Sequence, residues 1–172
     1  MQRVLADPGK RTPGSFAGFA APELGGLQFV RGEPQTLAAL RGRPVMLVFW
    51  TPAQDRVIPC TSWLQSALAR GLPRGLAAIV GCDGAAKADE VKAYLAEKDL
   101  PGASVAIDAE WKTYEAFFVK AGFFGLPRVL RIDRKGVVAF EGDPGLRRGE
   151  EWRASDGPTF VDGPLDKLLG GG

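Results

Sequence analysis

The stretch RPVMLVFWTPAQDRVIPCT, residues 43–61, decides the fold. It contains an uninterrupted apolar run, residues 45–50, with the length and composition typical of a central parallel strand. A polar loop follows and ends in Pro-Cys at residues 59–60. Apolar side chains then recur at helical spacing: Trp63, Leu64, Ala67 and Leu68. The stretch therefore predicts a strand, a loop and a helix, with Cys60 in the first turn of that helix.

Its position makes Cys60 the first candidate for a functional side chain. Free N–H groups and the positive dipole end of a helix stabilise a thiolate, so we expect a thiol pKa below the free value of about 8.5. The nearest charges in the sequence, Asp55 and Arg56, roughly cancel. The other interpretation is an inert buried residue, because free cysteine is among the most buried residue types. The sequence leaves both interpretations open.

Composition excludes several classes of site. The protein has no histidine, which rules out Ser–His and Cys–His catalytic pairs and leaves carboxylates as the metal ligands. Cys60 and Cys82 lie 22 positions apart (82 − 60), a spacing that fits no zinc site. The net charge is +2, and the 22 basic residues are scattered among 20 acidic ones. We therefore expect no cofactor, no metal and no nucleic-acid partner.

Length and hydropathy indicate one globular domain. The 172 residues are 45% hydrophobic and 24% charged. Residues 1–14 are polar and contain Pro8, Gly9 and Pro13, which predicts a tail rather than a signal peptide. We assign residues 1–18 to this tail and residues 19–172 to the domain. No apolar stretch approaches the ~20 residues that span a bilayer, so we expect no transmembrane segment, and the compartment stays open.

Periodicity predicts alternating strands and helices, followed by a hairpin. The predicted strands are residues 27–30, 45–50, 76–82, 104–107, 129–132 and 137–140. The predicted helices are residues 37–40, 60–70, 89–98, 110–119 and 164–169. The turn Asp-Arg-Lys-Gly, residues 133–136, joins the last two strands. Helices between the early strands and an antiparallel pair at the end predict an α/β sheet of mixed direction with helices on both faces.

Three segments carry a resemblance to a known family. Residues 21–24 read APEL, residues 40–50 read LRGRPVMLVFW, and residues 125–136 read GLPRVLRIDRKG. In this order and spacing they resemble the thioredoxin-fold redoxins of the TlpA/ResA type, which are related to the AhpC/TSA peroxiredoxins. The resemblance covers residues 19–142. It implies an α/β, thioredoxin-like fold in which helices flank both faces of a central mixed β-sheet.

The resemblance also implies a site and a class of partner. The partners would be protein or peptide thiols and disulfides, in a family whose members are often extracytoplasmic. Cys60 takes the position of the second cysteine of the family's Cys-x-x-Cys motif. Pro127 takes that of a proline preceded by a cis peptide bond. The expected substrate-binding residues are Trp50, Pro59, Leu126 and Arg128.

The active-site loop departs from the family's pattern. Val57 stands where the family has its attacking cysteine, and Trp63 where it often has a glutamate that serves proton transfer. Dithiol exchange needs an attacking and a resolving thiol close together. We therefore predict a redoxin that takes part in thiol–disulfide chemistry through Cys60 alone, and not a general dithiol reductase.

Two residues and two further functions stay open. Cys82 ends the strand at residues 76–82, where it is either a resolving thiol for Cys60 or a packed strand residue. Arg128 is either an anion-binding side chain or a solvated strand residue. The alternative functions are a redox-inactive binding module that keeps the peptide groove, and a divergent peroxiredoxin-like thiol peroxidase. Against the peroxidase, Val57 stands in place of the family's threonine and Pro127 in place of its arginine.

Overall fold

The computed structural model describes residues 18–55, 60–117, 119 and 127–142. The strands in this part of the chain are β1 Gln28–Arg31, β2 Val45–Phe49, β3 Ala77–Cys82, β4 Ser104–Ile107, β5 Arg128–Ile132 and β6 Val138–Gly142. The helices are α1 Pro52–Asp55, α2 Cys60–Gly71, α3 Ala88–Glu97 and α4 Lys112–Phe117, and a 3₁₀ turn, Leu72–Arg74, follows α2.

The strands form one six-stranded sheet in the order β1-β4-β3-β2-β5-β6. Strands β4, β3 and β2 are adjacent and parallel. β1 pairs antiparallel with β4, and the hairpin β5–β6 continues antiparallel from β2. Every residue of β2 and β3 is buried, as expected for parallel strands covered on both faces. The predicted mixed α/β sheet is confirmed.

Strand β2 divides the core into two layers. Met46, Val48 and Trp50 pack with α2 and α3 on one face of the sheet. Val45, Leu47 and Phe49 pack on the other face, which α4 covers with Tyr114 and Phe117. The alternation along β2 follows the two-residue period of a strand. Helices therefore lie on both faces, as predicted.

Several element bounds differ from the prediction. Residues 37–40 form hydrogen-bonded turns rather than an α-helix, and α1 lies in a segment predicted to be a loop. The helix predicted at 110–119 begins at Lys112, because buried Asp108 accepts the backbone N–H groups of Thr113 and Tyr114 and so caps its first turn. Trp111, before this helix, is 40% exposed and has a φ of 58°.

The hairpin turn has the predicted form. Oδ1 of Asp133 accepts the backbone N–H groups of Lys135 and Val137, and Gly136 takes a φ of 78°. Residues 1–17 of the predicted tail and the predicted helix at 164–169 lie outside the described residues. No helix in the described part of the chain has both the length and the apolar character that a bilayer span requires.

Candidate active site

The candidate residues meet at the carboxyl end of β2. The antiparallel register pairs Phe49 of β2 with Arg128 of β5. Trp50 directly follows β2 and Pro127 directly precedes β5, so both lie at this end of the strand pair. Helix α2 begins with Cys60 and packs on the same side of β2 as Trp50. Pro127 is buried where β5 begins.

Cys60 is a buried, free thiol. Its side chain is 3% exposed and packs in the apolar core that contains Trp50, Trp63 and Leu64. Burial raises the pKa of the Cys60 thiol to about 12, and the negative charge of Asp55 adds to the rise. Of the two interpretations that the sequence leaves open, this raised pKa favours the inert buried residue over a thiolate.

Asp55, the last residue of α1, carries the charge that adds to the effect of burial. Its Oδ1 accepts the backbone N–H of Thr61, the second residue of α2, at 2.7 Å. The carboxylate is 5% exposed, so a buried negative charge already lies at the N-terminal end of α2. A thiolate at Cys60 would have to form beside that charge. In the sequence Asp55 and Arg56 cancel, but Arg56 lies outside the described residues.

Helix α3 holds the Asp55 carboxylate from the other side. Tyr94 donates its hydroxyl hydrogen to Oδ2 of Asp55, and Lys98 Nζ lies 3.0 Å from the same oxygen. The hydroxyl of Thr61 is also hydrogen-bonded to that of Tyr94. Burial alone would raise the pKa of the Asp55 carboxyl, but hydrogen bonds from Tyr94, Thr61 and Lys98 outweigh it, and the pKa lies below its ordinary value.

Sequence reasoning missed this network, although one signal was present. Helical spacing places Tyr94 on the apolar face of its helix with Val91 and Leu95. A tyrosine on a core-facing position needs a partner for its hydroxyl, and Lys98 lies one turn further along the same helix. That pair indicates a polar site in the layer between α2 and α3, but not which acid would enter it.

Cys82 occupies a packed strand position. It is the last residue of β3, has no exposed surface, and belongs to the same apolar core as Cys60. Burial, followed by the charge of Asp83, raises the pKa of the Cys82 thiol to about 12. Both cysteines are free in the structure. These features favour the packed-residue interpretation of Cys82.

The predicted substrate-binding residues fall into three groups. Trp50 is 1% exposed and packs on Tyr94 with ring centroids 5.0 Å apart, so it lies in the core and not on a surface open to a substrate. Arg128 is half-buried, and it pairs with Phe49, whose side chain lies on the sheet face opposite Cys60. Pro59 and Leu126, with the Leu126–Pro127 peptide bond, lie outside the described residues.

The placement of Arg128 bears on the peroxidase alternative. A peroxiredoxin-type site needs an arginine beside the reacting sulfur, and strand alternation directs Arg128 to the other face of the sheet.

Within the described residues, no group of three or more histidine, cysteine, aspartate or glutamate side chains is arranged to hold a metal ion.

Comparison with known proteins gives structural but not sequence similarity. No protein-family model matches the chain, and a search of curated proteins finds no significant match. A Chlorobium tepidum protein assigned as the thiol:disulfide interchange protein DsbE superposes with a TM-score of 0.65 at 20% identity, over 89% of this chain and 97% of that one.

Two further solved structures are similar. The thioredoxin domain of a thiol-disulfide oxidoreductase from Bacteroides vulgatus gives a TM-score of 0.62 at 16% identity, over 87% of this chain and 97% of that one. An uncharacterized conserved protein from Geobacillus kaustophilus gives 0.73 at 16% identity, over 91% and 84%. At these identities the similarity establishes the fold, and the chain has the thioredoxin-like fold of the thiol:disulfide interchange proteins.

Proposed function

We propose that this protein is a TlpA/ResA-like redoxin that binds protein or peptide thiols and disulfides beside Cys60 without catalysing dithiol exchange. The observation that carries the proposal is the state of Cys60, a buried neutral thiol next to the Asp55 carboxylate. The thioredoxin-like fold supports the class of partner.

The chemistry follows from the thiolate fraction. Because burial raises the pKa of the Cys60 thiol to about 12, the neutral thiol dominates at pH 7 and the thiolate is a very small fraction. Only the thiolate attacks a disulfide, and dithiol exchange also needs a second thiol within reach. Val57 stands where the attacking cysteine would be, and Cys82 is a buried residue of β3. The described residues thus supply neither the attacking thiolate nor the pair.

The binding function rests on the start of β5. Pro127 has no N–H group and precedes a strand that is paired along its length with β2. In the resembling family the segment before this strand presents main-chain groups to an extended peptide, a form of β-augmentation. We propose the same role for Leu126 and Pro127, with Pro59 as a further contact of the bound peptide. The cis form of the Leu126–Pro127 bond stays a prediction.

An insulin-reduction assay with dithiothreitol tests the missing chemistry. We expect the native protein to remain at the background rate. Val57→Cys restores the attacking position of the motif, and Ser62→Cys is the matched control because it adds one exposed thiol to α2, the helix that begins with Cys60. We expect activity above background only in Val57→Cys. Turnover by the native protein would contradict the proposal.

A binding experiment tests the other half. Reduced and carboxymethylated insulin B chain is an extended polypeptide without free thiols. When it is titrated into ¹⁵N-labelled protein, we expect amide shifts at the start of β5, in Arg128 and Val129, and none in β1 at the far edge of the sheet. Amide shifts spread evenly over the protein, or no shifts at millimolar peptide, would contradict a peptide-binding site at the start of β5.

Thiol–disulfide chemistry through Cys60 itself is the second candidate function. One observation favours it: Cys60 is the first residue of a twelve-residue helix, at the end of the sheet where Pro127 lies. Incubation with glutathione disulfide at pH 8 distinguishes the two candidates. A glutathione adduct on Cys60, formed at the rate of an unhindered thiol, would support the second candidate, and an unmodified protein supports the first.

A further inference from the structure

The start of α2 holds one buried anion, and that anion is the Asp55 carboxylate. Three neighbouring groups bind it: the backbone N–H of Thr61 at 2.7 Å, the hydroxyl of Tyr94, and Lys98 Nζ at 3.0 Å. An aspartate five residues before a helix is not in the usual capping position. It reaches α2 because α1 folds back against α3.

This arrangement has a consequence for the adjacent sulfur. A helix start stabilises a negative charge through its free N–H groups and its dipole, within the first turn. Oδ1 of Asp55 accepts one of those N–H groups, at the residue directly after Cys60. A thiolate at Cys60 would gain less from the helix and would be repelled by the carboxylate, in a core where charges are weakly screened.

We propose that Asp55 suppresses the reactivity of Cys60: its carboxylate occupies the anion-stabilising start of α2 and so keeps the neighbouring sulfur protonated. The inference rests on the part of the proposed function that treats Cys60 as a neutral thiol, and it assigns to Asp55 the electrostatic contribution that adds to burial. Asp55 acts through the electrostatics of the helix start and touches no substrate, so it is a positioning residue.

The charge state of each of the other groups around the Cys60 sulfur decides how it affects the ionisation of the thiol. From α3, Tyr94 is a neutral donor, because burial and its hydrogen bond to Asp55 raise its pKa. Lys98, also from α3, is the cation that faces the carboxylate, and its side chain is 47% exposed. Water screens a half-exposed ammonium, so Lys98 offsets only part of the charge of Asp55. From β2 and α2, the facing side chains Trp50 and Trp63 are uncharged.

Asp55 also links α1 to α2 and α3 through its hydrogen bonds and ion pair. Its substitution could therefore change the reactivity of Cys60 by loosening these contacts as well as by removing a charge. Asp55→Asn removes the charge and keeps an oxygen that can accept the Thr61 N–H. Lys98→Gln leaves the Asp55 carboxylate in place and removes the one cation that is paired with it among the described residues. It also weakens the contact between α1 and α3. The two explanations predict opposite signs for Lys98→Gln. Asp89→Asn, an exposed acid in the first turn of α3, is the matched control for loss of one negative charge.

The experiment measures iodoacetamide alkylation of the full-length protein between pH 7 and 9, with Cys60 and Cys82 resolved by peptide mass spectrometry. We expect alkylation of Cys60 to be roughly tenfold faster in Asp55→Asn at each pH, the factor that one pKa unit gives. We expect Lys98→Gln to be as slow as the native protein or slower, and Asp89→Asn to be unchanged.

Three results would overturn the inference. The first is faster alkylation of Cys60 in both Asp55→Asn and Lys98→Gln, which a mechanical effect predicts. The second is a rate of alkylation in Asp55→Asn within twofold of the native rate. The third is a rate increase in Asp89→Asn equal to that in Asp55→Asn. If Asp55→Asn does not fold, Lys98→Gln decides by its sign. Rapid alkylation of Cys60 in the native protein is a separate result, which would contradict the proposed function itself.

Discussion

Replacement of Asp55 by alanine is the most informative test of the structure around Cys60. The substitution removes a carboxylate that is 5% exposed and that links α1 to α2 and α3. It deletes the capping hydrogen bond to Thr61, the acceptor for the Tyr94 hydroxyl and the ion pair with Lys98.

Each contact has a characteristic contribution to the free energy of unfolding. Loss of a helix-capping acceptor costs about 1 kcal/mol. A hydrogen bond to a charged group contributes about 1.5–3 kcal/mol. The hydroxyl of Tyr94 keeps its bond to Thr61, so the lower end applies. Lys98 is half-exposed and regains water, so its pair contributes under about 1 kcal/mol. We expect a total loss of about 3 kcal/mol.

Urea unfolding at pH 7 measures this loss as a fall in the transition midpoint at unchanged slope. Asp99→Asn is the control, because Asp99 forms an exposed ion pair with Arg31, and such pairs contribute about 0.2–1 kcal/mol. A loss below about 1 kcal/mol in Asp55→Ala would place this carboxylate in the range of surface pairs. It would then refute the description of Asp55 as a buried cap.

Three further predictions concern acid stability and packing. The pKa of the Asp55 carboxyl lies below its ordinary value, so the ionised carboxylate stabilises the folded protein above the unfolded pKa of about 3.9, and this contribution is lost as the pH falls through the folded pKa. We therefore expect the free energy of unfolding to fall less steeply with decreasing pH in Asp55→Asn than in the native protein. Phe117→Ala removes a fully buried ring that packs on Phe49 and should cost about 3–5 kcal/mol by urea unfolding. A Cβ at Gly84 would lie 2.8 Å from the carbonyl oxygen of Ala109, so Gly84→Ala should lower the thermal midpoint, and an unchanged midpoint would contradict that contact.

The sheet and its two core layers follow from local sequence patterns. The apolar run that contains β2 lies at the centre of the sheet because both its faces are apolar, and only an inner strand buries both. The helical spacing of Trp63, Leu64, Ala67 and Leu68 gave the buried face of α2 correctly. Such patterns are local, since each reflects which side of one element meets the core.

The chemistry at Cys60 depends on contacts that no local pattern encodes. Periodicity places Cys60 at a helix start, but its pKa depends on how deeply the folded chain buries the sulfur and on which charged group reaches that start. Asp55 reaches it because α1 forms in a segment that reads as loop, and Tyr94 and Lys98 then hold it from α3. These three contacts join separate elements, so the pKa depends on tertiary structure.

Direct titration of Cys60 in the native protein tests whether this site holds a neutral thiol. With [3-¹³C]cysteine labelling, the Cβ resonance of each cysteine reports its ionisation, and Cys82→Ser assigns the two signals. We expect no ionisation of Cys60 below about pH 10, two units under its pKa of about 12, and a transition near 8.5 only in denaturant. A midpoint below 8 in the folded protein would show a reactive thiolate and would contradict both the neutral thiol and the role of Asp55.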